Sequence, residues 1–309
     1  MDGSFWSRRD AGERLIYSAL AFEETDILVM QIALMGAGGK MGCRLTDNLR
    51  KHPEKYRMRY VEISEAGIAN LAQRGLRPTP QAEALADADV VILALPDRLI
   101  GRIASEIVPT LKPETMIISL DPAATYAEVM PIRNDLSYYV SHPCHPPLFN
   151  DEVTDDARRD WFGGVNAKHH IVSALYQGTE DDYLKGDQIV RDMYAPVMNN
   201  YRITVEQMAI LEPALVETFS ATVITAIKEA YDEAVKMGVP ADAAWAFLSG
   251  HVRIEFAIIF GFSGFPFSDG ALLAIQKAYD KIFKPDWKEQ IMNLDALKQS
   301  VAEITDSLK

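Results

Sequence analysis

The 309-residue chain is 48% hydrophobic and 24% charged, which excludes a disordered or fibrous protein and leaves length for two domains with sizeable cores. Its net charge of -13 argues against nucleic acid as a partner, because phosphate-backbone binding needs clustered Lys and Arg. Two cysteines, Cys43 and Cys144, make neither a disulfide framework nor a Cys-x-x-Cys zinc spacing, and no run of eighteen uncharged apolar residues occurs, so a cytoplasmic protein without a membrane span is expected.

Residues 1–29 form an N-terminal extension of mixed charge, broken by Glu13, Arg14, Glu23 and Glu24 in a way no secretory signal tolerates. Either Ala11 to Phe22 is an amphipathic helix or Met30 is the natural start. From Met30 a short apolar strand meets Gly36, Gly38, Gly39 and Gly42 just before a helical pattern, a G-x-G-G-x-x-G spacing. A strand turning straight into a helix presents unpaired N–H groups and the positive end of the helix dipole to a diphosphate. Gly36 serves the tight turn, Gly38 or Gly39 the close approach of the diphosphate, and Gly42 the packing of helix on strand, with Lys40 and Met41 completing the cofactor contacts. A plain tight turn is the alternative for the glycines taken alone.

Twenty positions after Gly42, Glu62 ends the next β-run, where an acidic residue binds the adenosine ribose and favours NAD over NADP. A solvent-facing strand-end Glu is the competing view, and Arg57 and Arg59 blur the preference. The run from Asp89 to Asp97 is apolar without alternation, as in a parallel strand buried on both faces, and Pro96 ends it beside the cofactor. Thr115 to Pro122 gives another strand, and Leu136 to Ser141 a further one that leads into the loop His142-Pro-Cys-His-Pro-Pro147. The βαβα rhythm specifies an α/β fold, a Rossmann (doubly wound) domain over residues 30–203.

From Thr204 the pattern turns helical. An i+4 row through Leu211, Leu215, Phe219, Thr222, Ala226, Ala230 and Ala234 predicts one long buried helix closed by Gly238 and Pro240. Ala241 to Phe260 is a second helix and Ala271 to Phe283 a third, after the glycine-rich stretch Gly261 to Gly270. Residues 204–309 therefore read as an all-helical domain that closes over a small-molecule substrate and pairs two subunits into a homodimer, the alternative being core helices of a monomer.

Chemistry is expected at the carboxyl ends of the strands. His142 and His145 each precede a proline, which favours an extended or polyproline backbone and puts both imidazoles on one side, with His142 directly at the strand end. A proline-rich loop with one solvated histidine is the bland view. Glu212 falls on the helical row of Val216, Phe219, Val223 and Ile227, where a carboxylate needs a metal, a histidine or a substrate group as partner unless it only complements the helix dipole. Glu217, on another row, reads as solvated. His169, His170 and His251 read as structural, and Arg253 as one of several arginines able to take a substrate carboxylate.

The order of elements from Met30 onward resembles the 6-phosphogluconate dehydrogenase-like superfamily. GAGGKMG at Gly36 to Gly42, LALPD at Leu93 to Asp97, SHPCHPPLF at Ser141 to Phe149, LEPALVE at Leu211 to Glu217 and FPFSDGA at Phe265 to Ala271 resemble the D-apionate oxidoisomerase group. That resemblance implies an NAD-dependent enzyme that oxidises a branched sugar acid and then rearranges it. Hydroxyacid dehydrogenases of the wider superfamily carry a catalytic lysine a few helical turns before a Glu-Ala pair; here the pair is Glu229-Ala230, and the matching position is Pro213. With no lysine there another group must do the acid/base work, and the ketol shift that the resemblance implies benefits from a divalent metal (Zn or Mg), with His142 and Glu212 as its expected ligand pair and His145 as proton carrier or third ligand. A simple NAD(P)-dependent hydroxyacid or prephenate-type dehydrogenase stays open, as does a catalytically silent NAD-sensing module.

Overall fold

A computed structural model describes residues 29–306; the expected extension up to residue 28, with its helix, lies outside the described residues. Seven strands form one sheet: β1 (Met30–Met35), β2 (Tyr56–Val61), β3 (Val90–Leu93), β4 (Met116–Ser119), β5 (Ser137–Pro143), β6 (His169–Gln177) and β7 (Val197–Arg202). Their spatial order is β2-β1-β3-β4-β5-β6-β7. β1 to β5 are mutually parallel, β6 runs antiparallel to β5, and β7 parallel to β6. Polar β7 (VMNNYR), half exposed at the sheet edge, carries too little apolar alternation to be read from sequence.

The connections are helical: α1 (Lys40–Leu49), α2 (Glu65–Gln73), α3 (Gln81–Ala86), α4 (Asp97–Ile107), α5 (Ala123–Tyr126), α6 (Asp155–Arg158) and α7 (Glu180–Met193). Successive β1 side chains face opposite sides, so two cores form. Ile32 and Leu34 join Leu45, Leu49, Tyr139, Ile189 and Met193 on one face. Ala33 and Met35 join Ile100, Ala104, Ile107 and Tyr138 on the other. The unbroken apolar runs of β3 and β4 are fully buried, as a sheet covered on both faces requires. The strand order reverses direction between β1 and β3, which places the ligand crevice outside their carboxyl ends.

Thr204 opens the second half with a capping box: its hydroxyl accepts from the Gln207 N–H, and the Gln207 side chain accepts from the Thr204 N–H. A continuous 32-residue helix follows, made of α8 (Val205–Ala209), a π-helical stretch (Ile210–Ser220) and α9 (Ala221–Lys236). Then come α10 (Ala241–Ile259), α11 (Asp269–Ile282), α12 (Trp287–Ile291) and α13 (Leu294–Asp306). The length matches the sequence expectation, but the expected burial does not hold. Only the first turns bury residues, and α9 to α12 hold none. α13 returns to the sheet half, where Leu297 and Val301 pack with Ala123, Ala209 and Ala214. By length and composition alone Val205–Lys236 is also apolar enough to cross a membrane, although it holds no run of eighteen uncharged residues.

Candidate active site

The glycine turn is shaped by close approaches that only glycine permits. Gly36 has φ +74°, and a Cβ there would sit 2.3 Å from the Ala94 carbonyl oxygen, across the crevice between β1 and β3. A Cβ on Gly42 would stand 2.0 Å from the Gly36 oxygen, so the helix start could not lie against the turn. Lys40 and Met41 open α1, and their N–H groups belong to the first turn, which has no intrahelical acceptor.

Glu62 follows β2 directly and reaches back to the turn. Its Oε2 accepts from the Gly38 N–H at 3.0 Å, while Oε1 accepts from the N–H of Ile63 and of Ser64 and from the Ser64 hydroxyl, each at 2.9 Å. Burial alone would raise its pKa, but these hydrogen bonds outweigh it and hold the carboxyl below its ordinary range. A permanent negative charge thus stands at the β2 end, beside the glycines. Pro96 is the N-cap of α4, one residue before Asp97.

A cluster of polar side chains lies at the ends of β3, β4 and β5. His142 sits within β5 itself rather than in the loop beyond it. Its Nδ1 donates to the Leu120 carbonyl at 2.8 Å, which fixes the tautomer and leaves Nε2 with a lone pair. That Nε2 faces Glu212 Oε1 at 3.4 Å, and Nδ1 lies 3.9 Å from Asp121 Oδ2. All three side chains are 20% exposed, accessible from the crevice yet shielded from bulk water. One ligating atom from each of Asp121, His142 and Glu212 lies within 4.8 Å of the others. A lone pair facing a carboxylate is repulsive unless a proton or a cation lies between them.

Two more carboxylates complete the surroundings. Burial first, and the Glu212 charge next among the raising causes, push Asp97 up, with His142 opposing. Asp121 is pushed up to about 7, by burial and then by Asp97. Glu217, expected to be solvated, is raised by burial, Glu212 and Asp97 although its residue is largely exposed, so its carboxyl end belongs to this field. The cause is the π-helical stretch. Over Ile210–Ser220 the backbone repeats i to i+5, as in the Ala221 N–H donating to the Val216 carbonyl. The α-helical row predicted for Glu212 therefore does not apply, and residues 212 and 217 come toward one side. Pro213 lies inside the stretch, with no N–H to give an α-helical bond.

His145 departs from expectation. Its φ is +59°, left-handed rather than extended, a conformation costing on the order of 1–3 kcal/mol for a non-glycine residue. Its Nδ1 donates to the Phe162 carbonyl at 3.0 Å. The third place beside His142 and Glu212 goes to Asp121, which the sequence showed only as a strand-ending Asp-Pro. The adjacency of β3, β4 and β5 that gathers Asp97, Asp121 and His142 is a property of the sheet order, with no local signal. His169 is buried and donates from Nε2 to the Tyr194 carbonyl, a structural role as expected. Arg253 lies elsewhere, lining a groove of about 480 Å³ with Leu148, Glu152 and Arg158.

The donor set of two carboxylates and one imidazole with its second nitrogen fixed by a carbonyl suits a divalent cation. The Cys144 thiol, pushed up to about 11 by burial and by Glu212, lies outside this donor set.

Comparison with known proteins agrees with this architecture. Residues 150–305 match the family described as phosphogluconate dehydrogenase (decarboxylating) C-term, and residues 31–122 that described as NADP oxidoreductase coenzyme F420-dependent. The chain is 46% identical over 276 residues to a D-apionate oxidoisomerase of Cupriavidus necator, covering 89% of this chain and 99% of the relative. A D-apionate oxidoisomerase of Rhizobium rhizogenes is 47% identical, again with 89% and 99% covered. Among solved structures, a semialdehyde dehydrogenase NAD-binding protein from Cupriavidus necator in complex with calcium and NAD matches with TM-score 0.86 at 46% identity, over 89% of this chain and 99% of that one. A NADH-preferring ketol-acid reductoisomerase from an uncultured archean shares the fold alone, with TM-score 0.61 at 16% identity over 89% and 82% of the two chains. The chain is an NAD-dependent oxidoreductase and belongs to the D-apionate oxidoisomerase family.

Proposed function

We propose that the chain oxidises a branched sugar acid of the D-apionate type with NAD and then shifts its carbon skeleton, at a site where Asp121, His142 and Glu212 hold a divalent cation. The observation that carries this is the fixed His142 tautomer, with Nε2 turned on Glu212 at 3.4 Å in a field of carboxylates. The calcium and NAD held by the solved relative support it. Bound there, a divalent cation supplies Lewis-acid polarisation of substrate oxygens and offsets the carboxylate charge.

The chain's own groups account for the rest. The turn from Gly36 to Gly42 binds the diphosphate, Lys40 and Met41 flank it, and Glu62 takes the ribose side, which favours NAD. Pro96 borders the nicotinamide end. In the first step the C2 hydroxyl loses its proton and C2 its hydride, giving a 2-oxo acid and NADH. In the second the C3 hydroxyl loses a proton, the hydroxymethyl group moves with its bonding pair from C3 to C2, and the C2 oxygen takes a proton. Burial leaves Asp97 and Glu217 able to hold such protons nearer neutral pH than ordinary carboxylates, in place of the missing lysine.

Residues 30–203 serve the cofactor and residues 204–309 the substrate and a second copy. Exposed Trp245, Phe262, Phe265 and Ile282 on or beside the helices support a soluble homodimer, rather than a membrane span, as what covers them. The two free cysteines fit a reducing cytoplasm. The test is incubation with NAD and D-apionate, with added divalent cation or with chelator, following NADH absorbance and the product by NMR. Cation-dependent NADH and a rearranged skeleton are expected. Chelator-insensitive turnover to an unrearranged 2-oxo acid would instead make it a simple dehydrogenase.

A further inference from the structure

The connection between β5 and β6 folds back along α1. Asn48 donates from Nδ2 to the carbonyls of Gly164 at 2.8 Å and of Met193 and Ala195 at 3.1 Å. Arg44 donates to the Gly163 carbonyl and lies 3.7 Å from Asp160. Asp160 in turn accepts from the N–H groups of Gly163, Val165, Asn166 and Ala167. Between this connection and α1 only a cavity of about 10 Å³ is left, the size of one water.

At its tip Phe162 is gripped from two sides. The Lys40 ammonium stands 3.8 Å from the ring centroid and the Arg44 guanidinium 4.9 Å, both within cation–π range. From the other side His145 donates to the Phe162 carbonyl and sets its ring edge-on to the phenyl at a centroid distance of 5.4 Å. The left-handed backbone of His145 is what turns its imidazole away from His142 toward this contact.

We propose that Phe162, held by His145, is a positioning residue of the cofactor site. It keeps the Lys40 ammonium at the first residue of α1, where the NAD diphosphate binds. This rests on the cofactor reading of the glycine turn. His145 then acts through Phe162 and Lys40, and neither carries a proton nor ligates a cation.

The test uses the full chain with His145→Ala, His145→Asn, Phe162→Leu and the double variant His145→Ala/Phe162→Leu. NAD affinity is read by calorimetry, Ca²⁺ affinity by calorimetry, and kcat at saturating NAD across pH. Expected are a roughly tenfold weaker NAD affinity for His145→Ala and for Phe162→Leu, no further loss in the double variant, and recovery in His145→Asn, whose amide can donate to the same carbonyl. Ca²⁺ affinity and the pH profile of kcat stay those of the parent. A fall in kcat of a hundredfold with a lost limb of the pH profile, or a loss of Ca²⁺ binding, overturns the proposal in favour of a direct role for His145. Unchanged NAD affinity in variants of a parent that binds NAD overturns it alone, whereas a parent that binds no NAD overturns the cofactor reading with it. Should His145→Ala fail to fold, Phe162→Leu and His145→Asn decide the same question.

Discussion

The sheet half and the helical half are built on opposite terms. β1, β3 and β4 hide essentially every apolar side chain between two helical layers, whereas α9 to α12 hide none. Burial of a large apolar side chain is worth about 1.5–3 kcal/mol. The sheet half gains this within one chain. The helical half carries Phe247, Phe260, Phe262 and Leu272 in the open, the surface that the proposed homodimer would cover. The proposed cation site lies where the two halves meet. Asp97, Asp121 and His142 come from strand ends, and Glu212 and Glu217 from the π-helical stretch that follows the turns packed on β5 and β6.

The largest effect that sharpens this contrast is expected at the seam. His142→Ala removes the only imidazole of the group and should lower turnover on the order of 10³-fold, while NAD binding, which belongs to the sheet half, stays near the parent value by calorimetry. Loss of both together would merge the two regions. Next is pairing: Ile282→Asp puts a charge on the exposed face of α11 and should turn a dimer into a monomer in sedimentation velocity, a loss of about 1.5–3 kcal/mol per buried side chain. A parent that already sediments as a monomer would remove the reason given for the exposed face.

Gly42→Ala probes the sheet half alone. Its Cβ would press on the Gly36 oxygen and Ala37 backbone, so about 1–3 kcal/mol of stability should go, with NAD affinity falling more than cation affinity. Smallest is a pH effect. Asp121 has a folded pKa of about 7, above its ordinary 3.8, so the folded state binds the extra proton between those values. Its contribution is fully present below pH 4 and is lost as pH rises through 7. In the cation-free protein, Asp121→Asn should therefore remove part of the fall in melting temperature between about pH 4 and 7. An unchanged slope would show that Asp121 titrates as an ordinary carboxyl.

Much of the sheet half was legible because its signals are local. Unbroken apolar runs give buried strands, and glycines at fixed spacing give a turn that larger residues cannot make. The helical half was legible in its helices but not in its burial, since a row of Leu, Phe and Ala looks the same whether it faces a core or a second copy. Glu212 stood out as a carboxylate in an apolar stretch. Glu217 did not, because a shift from α to π repeat leaves no pattern beyond Pro213. Asp121 looked like a strand-ending Asp-Pro, and only the neighbourhood of β4 and β5 brings it to His142. The proline after His145 pointed to an extended backbone, whereas the residue is left-handed and its ring meets the Phe162 carbonyl.

The most direct test is a calorimetric titration of Ca²⁺ into the parent and into Glu212→Gln, each followed by NAD. A cation held at the seam predicts binding to the parent, its loss in Glu212→Gln, and NAD affinity unchanged within about twofold, as expected for sites without shared partners. Equal Ca²⁺ binding by both proteins would contradict the account.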